Sequence, residues 1–95
     1  MIHALVQLHV TDFATFWAGF QSRGFALRQA HGSLGSQVFH NAADPQQVTI
    51  LFQWDSKACL EAFFQDPRVR ESICKGGVTD APSITLLTKA GELEA

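Results

Sequence analysis

Residues 41–69 read NAADPQQVTILFQWDSKACLEAFFQDPRV, and this stretch decides the fold. Asp44-Pro45 supplies a turn, because Asp hydrogen-bonds the backbone just downstream of itself and Pro presets the φ angle a turn needs. The run VTILFQW over 48–54 is rich in β-branched and aromatic side chains and reads as a buried strand. Ser56 stands where a helix N-cap belongs, so its hydroxyl can accept from the unpaired N–H groups of the first turn. A helix over 56–64 follows. Asp66-Pro67 then restarts the helix on a new axis through residue 73, since Asp is a good cap and Pro fits the first helical position without losing a hydrogen bond.

Upstream of that stretch, residues 37–41 form a short strand that pairs with 48–54 as a hairpin. Opposing Phe39 with Ile50 is the expected register; it sends Phe39 toward the helices and His40 to the other sheet face. Residues 2–10 read as a strand with Ala4, Val6, Leu8 and Val10 on a dry face and His3, Leu5, Gln7 and His9 on a mixed one. Asp12 caps an amphipathic helix in which Phe13, Phe16, Trp17, Phe20, Gly24 and Leu27 recur at three and four, and which ends near Gly32. Downstream, Gly76-Gly77 and Asp80-Ala81-Pro82 make a loop before a last strand over 84–88.

The order is βαββαβ within a single domain over 1–90, followed by a polar tail at 91–95. Two helices on one face of a four-stranded antiparallel sheet, in the order 4-1-3-2, give a ferredoxin-like α+β fold. That arrangement leaves the second sheet face, with His3, Leu5, Gln7, Thr49, Leu51 and Leu87, uncovered. A second copy packed there, sheet on sheet, would make a dimeric α+β barrel.

Bulk properties agree with a homodimer. A chain of 95 residues buries only about 60–65% of its unfolded surface, so association adds stability it otherwise lacks. Hydrophobic residues make up 46% and charged ones 17%, a lean polar coat for a small monomer. The net charge of -2, with Lys and Arg scattered, lacks the basic patch of a nucleic-acid binder. Cys59 and Cys74 show no metal-ligand spacing and read as reduced, buried thiols. The N-terminus has no basic n-region or cleavage site, and no apolar run approaches the ~20 residues of a membrane span, so a cytoplasmic protein with no membrane partner is expected.

The chain resembles the antibiotic biosynthesis monooxygenase-like proteins of the dimeric α+β barrel superfamily. The resemblance rests on the strand ending in Trp54, on Asp55-Ser56, on Ala58-Cys59-Leu60 and on Asp66-Pro67-Arg68-Val69. Gly77-Val78 through Pro82-Ser83-Ile84-Thr85 is similar to the run into the last strand of a subgroup described as cyclase-like. The resemblance implies a homodimer and oxidation of polycyclic aromatic compounds without metal or flavin, or a related cyclisation. It also implies a haem-degrading alternative, in which many members carry a histidine nine residues after the tryptophan. This chain has Phe63 at that position, no histidine after His40 and no tyrosine, so neither a haem ligand from that helix nor a phenolic acid–base group is available.

The candidate ligand-binding residues are Trp17, Phe20, Gly24, Phe39, Trp54 and Phe63, lining an aromatic cleft between helices and sheet for a planar hydrophobic molecule. Gly24 falls on an apolar helical stripe, where it marks either close helix–sheet approach or room for a ligand. Trp54, at the family tryptophan's position, offers an indole N–H to a polar oxygen. Arg28 and His31 near the end of the first helix are the candidate polar groups, either matching the helix dipole or holding an anionic group at the cleft mouth. No catalytic residue is assigned and no cofactor is expected. No metal is expected either: His3 and His9 lie about 20 Å apart along one strand, and His40 sits on a strand that is not adjacent to theirs. A non-enzymatic structural or stress-related dimer, its interior filled by its own aromatic side chains, is the competing reading. A cavity of a few hundred Å3 beside Gly24 and Trp54 separates the two.

Overall fold

The computed structural model describes all 95 residues. The elements run β1 (Ile2–His9), α1 (Phe13–Gln21), α2 (Arg23–Ala30), β2 (Ser33–His40), β3 (Gln47–Trp54), α3 (Lys57–Gln65), α4 (Pro67–Lys75) and β4 (Ser83–Leu87). The four strands form one antiparallel sheet in the order β2-β3-β1-β4 with all helices on one face, the expected ferredoxin-like arrangement. Its core is the dry face of the two central strands. Ala4, Val6 and Leu8 of β1 and Val48, Ile50, Phe52 and Trp54 of β3 are buried against Phe16, Leu60, Phe63 and Val69 from the helices.

The anticipated caps hold the helices in place. The Asp12 carboxylate accepts from the Thr15 backbone N–H at 3.0 Å and from its hydroxyl at 2.7 Å, which lowers the Asp12 pKa. Ser56 Oγ accepts from Cys59 N–H at 3.2 Å, and Asp66 Oδ1 from Arg68 N–H at 2.9 Å, with Pro67 at the first position of α4. Gly32, at φ +87°, turns the chain from α2 straight into β2 in a conformation that L side chains rarely adopt.

Three expectations are corrected. The first helix is not continuous: it breaks at Ser22, whose φ of -103° and ψ of -94° leave the helical region. The Ser22 hydroxyl donates to Ala18 O at 2.7 Å, the carbonyl its own N–H would otherwise claim, and such back-bonding bends helices. Second, β2 is eight residues long and begins at Ser33, with a register irregularity between Ser33 and Gly35. Its opening Ser-Leu-Gly-Ser looks like a loop by composition, yet ladder hydrogen bonds need only backbone.

Third, the hairpin register is one residue away from the expected one. Val38 pairs with Ile50, Phe39 with Thr49 and His40 with Val48. The turn sets this: Asn41 N–H donates to Gln47 O at 2.9 Å, Asp44 N–H to Asn41 O at 3.2 Å and Gln47 N–H to Asp44 O at 3.1 Å. A slip of one residue reverses every side chain on the strand. Phe39 therefore projects from the outer face and is 51% exposed, while His40 meets the Phe13 ring edge-on at 4.9 Å on the helix side.

Candidate functional site

A cleft opens between the helix layer and the sheet, walled by Phe20, Ile50, Phe52, Phe63, Phe64 and Ile73. Its empty space out to the solvent is about 580 Å3, but a water-sized sphere can be centred in only about 60 Å3 of it. The volume is thus narrow as it stands, smaller than the roughly 150 Å3 that admits a benzene ring to a protein core. Two arginine side chains, Arg23 and Arg28, stand among the hydrophobic groups that line it.

Arg28 is only 7% exposed, and its guanidinium lies over the Phe20 ring, with Cζ 3.6 Å from the ring centroid. Its Nη2 donates to Phe20 O at 2.9 Å. Burial pushes its pKa down from the ordinary guanidinium range to about 10. Arg23, half-buried on the same cleft, donates from Nη2 to Ser72 O at 3.3 Å, while its Nε is buried with no partner.

Each guanidinium rests on a glycine four residues earlier. A Cβ on Gly24 would stand 2.9 Å from Arg28 Nη1, and one on Gly19 would stand 2.6–2.9 Å from three atoms of the Arg23 guanidinium. The glycines are the space into which the arginines fold. The sequence carries this as a tandem, Gly-Phe-Gln-Ser-Arg over 19–23 followed by Gly-Phe-Ala-Leu-Arg over 24–28. Sequence reasoning missed Arg23 and Gly19, although that five-residue repeat would have pointed to both.

Among the expected site residues, Phe20, Gly24, Arg28 and Phe63 line the cleft together. Trp17 does not: it is 36% exposed on α1, stacked between Phe13 at 6.1 Å and Phe20 at 6.0 Å. Phe39 is on the opposite face of the sheet. Trp54 is wholly buried behind Phe63, with ring centroids 4.9 Å apart, and its Nε1–H has no partner. His31 also points elsewhere, its Nε2 2.8 Å from Asp66 Oδ2 at the start of α4. Asp66 additionally accepts from Arg68 Nη2 at 2.8 Å, and the two partners, Arg68 first, hold its carboxyl well below the usual range.

No three His, Cys, Asp or Glu side chains converge anywhere. His3 faces Gln53 at 3.2 Å, and His9 faces Asp80 at 3.6 Å. The cleft itself is lined by no His, Asp, Glu, Cys or Tyr. Its chemistry is therefore apolar burial plus two cations, with no ordinary proton acceptor.

The family model described as antibiotic biosynthesis monooxygenase matches residues 1–73. The chain belongs to that family. No curated protein matches it. Solved structures of similar fold include a cofactor-independent oxygenase, SnoaB from Streptomyces nogalater, at 12% identity and a TM-score of 0.79, covering 99% of this chain and 97% of that one. A putative antibiotic biosynthesis monooxygenase from Bordetella bronchiseptica has 19% identity and a TM-score of 0.78, covering 94% and 96%. One from Deinococcus radiodurans has 20% identity and a TM-score of 0.73, covering 100% and 98%. At these identities the family's solved structures establish the shared fold and nothing finer.

Proposed function

We propose that this antibiotic biosynthesis monooxygenase family member binds a planar hydrophobic molecule in the helix–sheet cleft and acts on it without metal or flavin. Oxygenation or a cyclase-like rearrangement is the reaction type. The observation that carries the reading is the cleft: an apolar, ring-lined opening in which two arginine side chains occupy the space left by two glycines. The oxygenase named among the fold's solved structures supports the direction of the chemistry. A flat ligand enters when the guanidiniums swing off Gly19 and Gly24, exchanging their place over Phe20 for the ligand's ring. With no carboxylate or imidazole in the cleft, the protein's contribution is to bury, orient and electrostatically stabilise the reacting molecule rather than to remove its proton.

The reading includes a homodimer, and the cytoplasm as its compartment. Leu5, Phe39, Leu51 and Leu87 share the outer sheet face, where Phe39 is 51% and Leu87 37% exposed. Such a stripe beside polar neighbours suits a sheet-on-sheet partner. No helix is long and apolar enough to cross a membrane. The closed structural dimer draws support from the complete burial of Trp54 and the present narrowness of the cleft.

Titration of the 15N-labelled protein with bicyclic and tricyclic aromatics, both neutral and anionic, decides between these readings. Amide shifts centred on Gly24, Phe63 and Ile73 are expected. An unperturbed cleft across the panel would favour the structural dimer. Oxygen uptake with hydroxylated members of the panel, in the presence of a chelator and no added cofactor, tests the reaction.

A further inference from the structure

Two guanidiniums in an apolar cleft need an explanation that core filling does not supply. Taking a cation out of water costs several kcal/mol unless a counter-charge or a full set of hydrogen bonds replaces the solvent. Neither is present. Arg28 has a carbonyl and a ring face, and Arg23 a single carbonyl, although each guanidinium carries five N–H groups. No carboxylate lies within 4.0 Å of either. Glu71, which shares the outer groove with Arg23, is engaged by Lys75 at 2.9 Å.

The chain as a whole is acidic, at a net charge of -2, yet the only charged residues lining this cleft are cations. A leucine or methionine at 28, where the side chain is only 7% exposed, would fill the same space without the desolvation penalty. Arginine is the residue whose planar fork matches a carboxylate or phosphate edge and also stacks on aromatic rings. The buried, unpartnered Arg23 Nε is a donor still waiting for an acceptor.

We infer that the cleft takes an aromatic molecule bearing an oxyanion, a carboxylate or an ionised ring hydroxyl, which the Arg23 and Arg28 guanidiniums receive while the ring lies among Phe20, Phe52 and Phe63. This rests on the cleft being a binding site and adds the charge of what it binds. The tandem Gly-x-x-x-Arg spacing is the specificity device: each glycine lets its arginine lie inward, and each arginine can rise to meet an anion without disturbing the helix. A neutral ring of the same size would leave both cations desolvated and unpaired.

The test compares 2-naphthoate with 2-naphthamide, equal in shape and differing in charge, on the full chain and on the Arg23→Gln and Arg28→Gln variants. Affinity is read from the Gly19 and Gly24 amide shifts, and circular dichroism checks that each variant is folded. Naphthoate is expected to bind at least tenfold more tightly than the amide, and each variant to reduce that ratio at least threefold. Half-buried Arg23 keeps the test decisive should Arg28→Gln not fold. Equal affinities in the native chain, or a ratio unchanged in the folded variants, would overturn the inference while leaving a neutral aromatic cleft standing. Binding of neither compound would overturn both.

Discussion

His31 Nε2 lies 2.8 Å from Asp66 Oδ2, joining the last turn of the first helical layer to the first turn of α4 across 35 residues of sequence. The side chains are 20% and 10% exposed, and Asp66 also caps α4 and accepts from exposed Arg68. This one carboxylate therefore ties the end of α2 to the start of α4.

Because the Arg68 and His31 hydrogen bonds depress the Asp66 pKa below its ordinary 3.8, the ionised carboxylate is favoured in the folded state. A depressed carboxyl contributes stability that is fully present above the unfolded value and is lost as pH falls through and below it. The urea midpoint is thus expected to drop from pH 5 to pH 3, and to drop less in Asp66→Asn, which is the weaker protein at pH 5 and above. Parallel pH profiles for the two proteins would show that Asp66 does not carry the effect.

Trp54 combines complete burial with an unpaired indole N–H. A buried donor left unsatisfied costs about 1–3 kcal/mol, so Trp54→Phe removes that penalty while losing some packing volume. The two effects oppose, and urea unfolding is expected to place Trp54→Phe within about 1 kcal/mol of the native chain. Trp54→Ala, which removes the same N–H but opens a far larger cavity, should lose about 3–5 kcal/mol. If Trp54→Phe lost as much as Trp54→Ala, the N–H would have to be partnered.

The central strands, the caps and the strand order were legible because period-two burial and N-cap chemistry are local signals. Residues 48–54 and Ser56, Asp66 and Pro67 carry them without help from the rest of the chain. Phe39 was not legible in the same way: its face depends on how many residues the Asn41–Gln47 turn consumes, and hydrogen bonds that close a loop leave no hydrophobic pattern. Trp54 and Trp17 share the cleft's composition but not its lining, since one lies behind Phe63 and the other stacks outward on Phe13. Arg23 escaped notice because a half-buried arginine looks in sequence like any solvated charge. Only its glycine partner distinguishes it.

The observed register separates two neighbouring residues. Val38 packs against the core whereas Phe39 stands on the outer face. Val38→Asn, which turns an amide into the core, is expected to lose about 1–3 kcal/mol in urea unfolding. Phe39→Lys should leave the fold intact and instead shift the mass seen by light scattering toward the 10.4 kDa protomer. A Phe39→Lys protein that unfolds while Val38→Asn is unaffected would restore the alternative register. A native chain already at protomer mass would remove the dimer.

Gly24→Ala tests the link between glycine and arginine directly. The added methyl would meet Arg28 Nη1 at 2.9 Å and Gly19 O at 3.2 Å, so the guanidinium must leave its place over Phe20 and the helix break must give by a few tenths of an ångström. Alanine gains up to about 1 kcal/mol of helix propensity over glycine, which offsets the lost contacts. Net stability is therefore expected to change by less than about 1 kcal/mol while Arg28 moves toward solvent. Labelling with phenylglyoxal, followed by peptide mass analysis, reads that movement: Arg28 should react several-fold faster in Gly24→Ala than in the native chain, with Arg70 as an exposed internal standard. An unchanged Arg28 rate would mean that the guanidinium does not depend on the space Gly24 leaves.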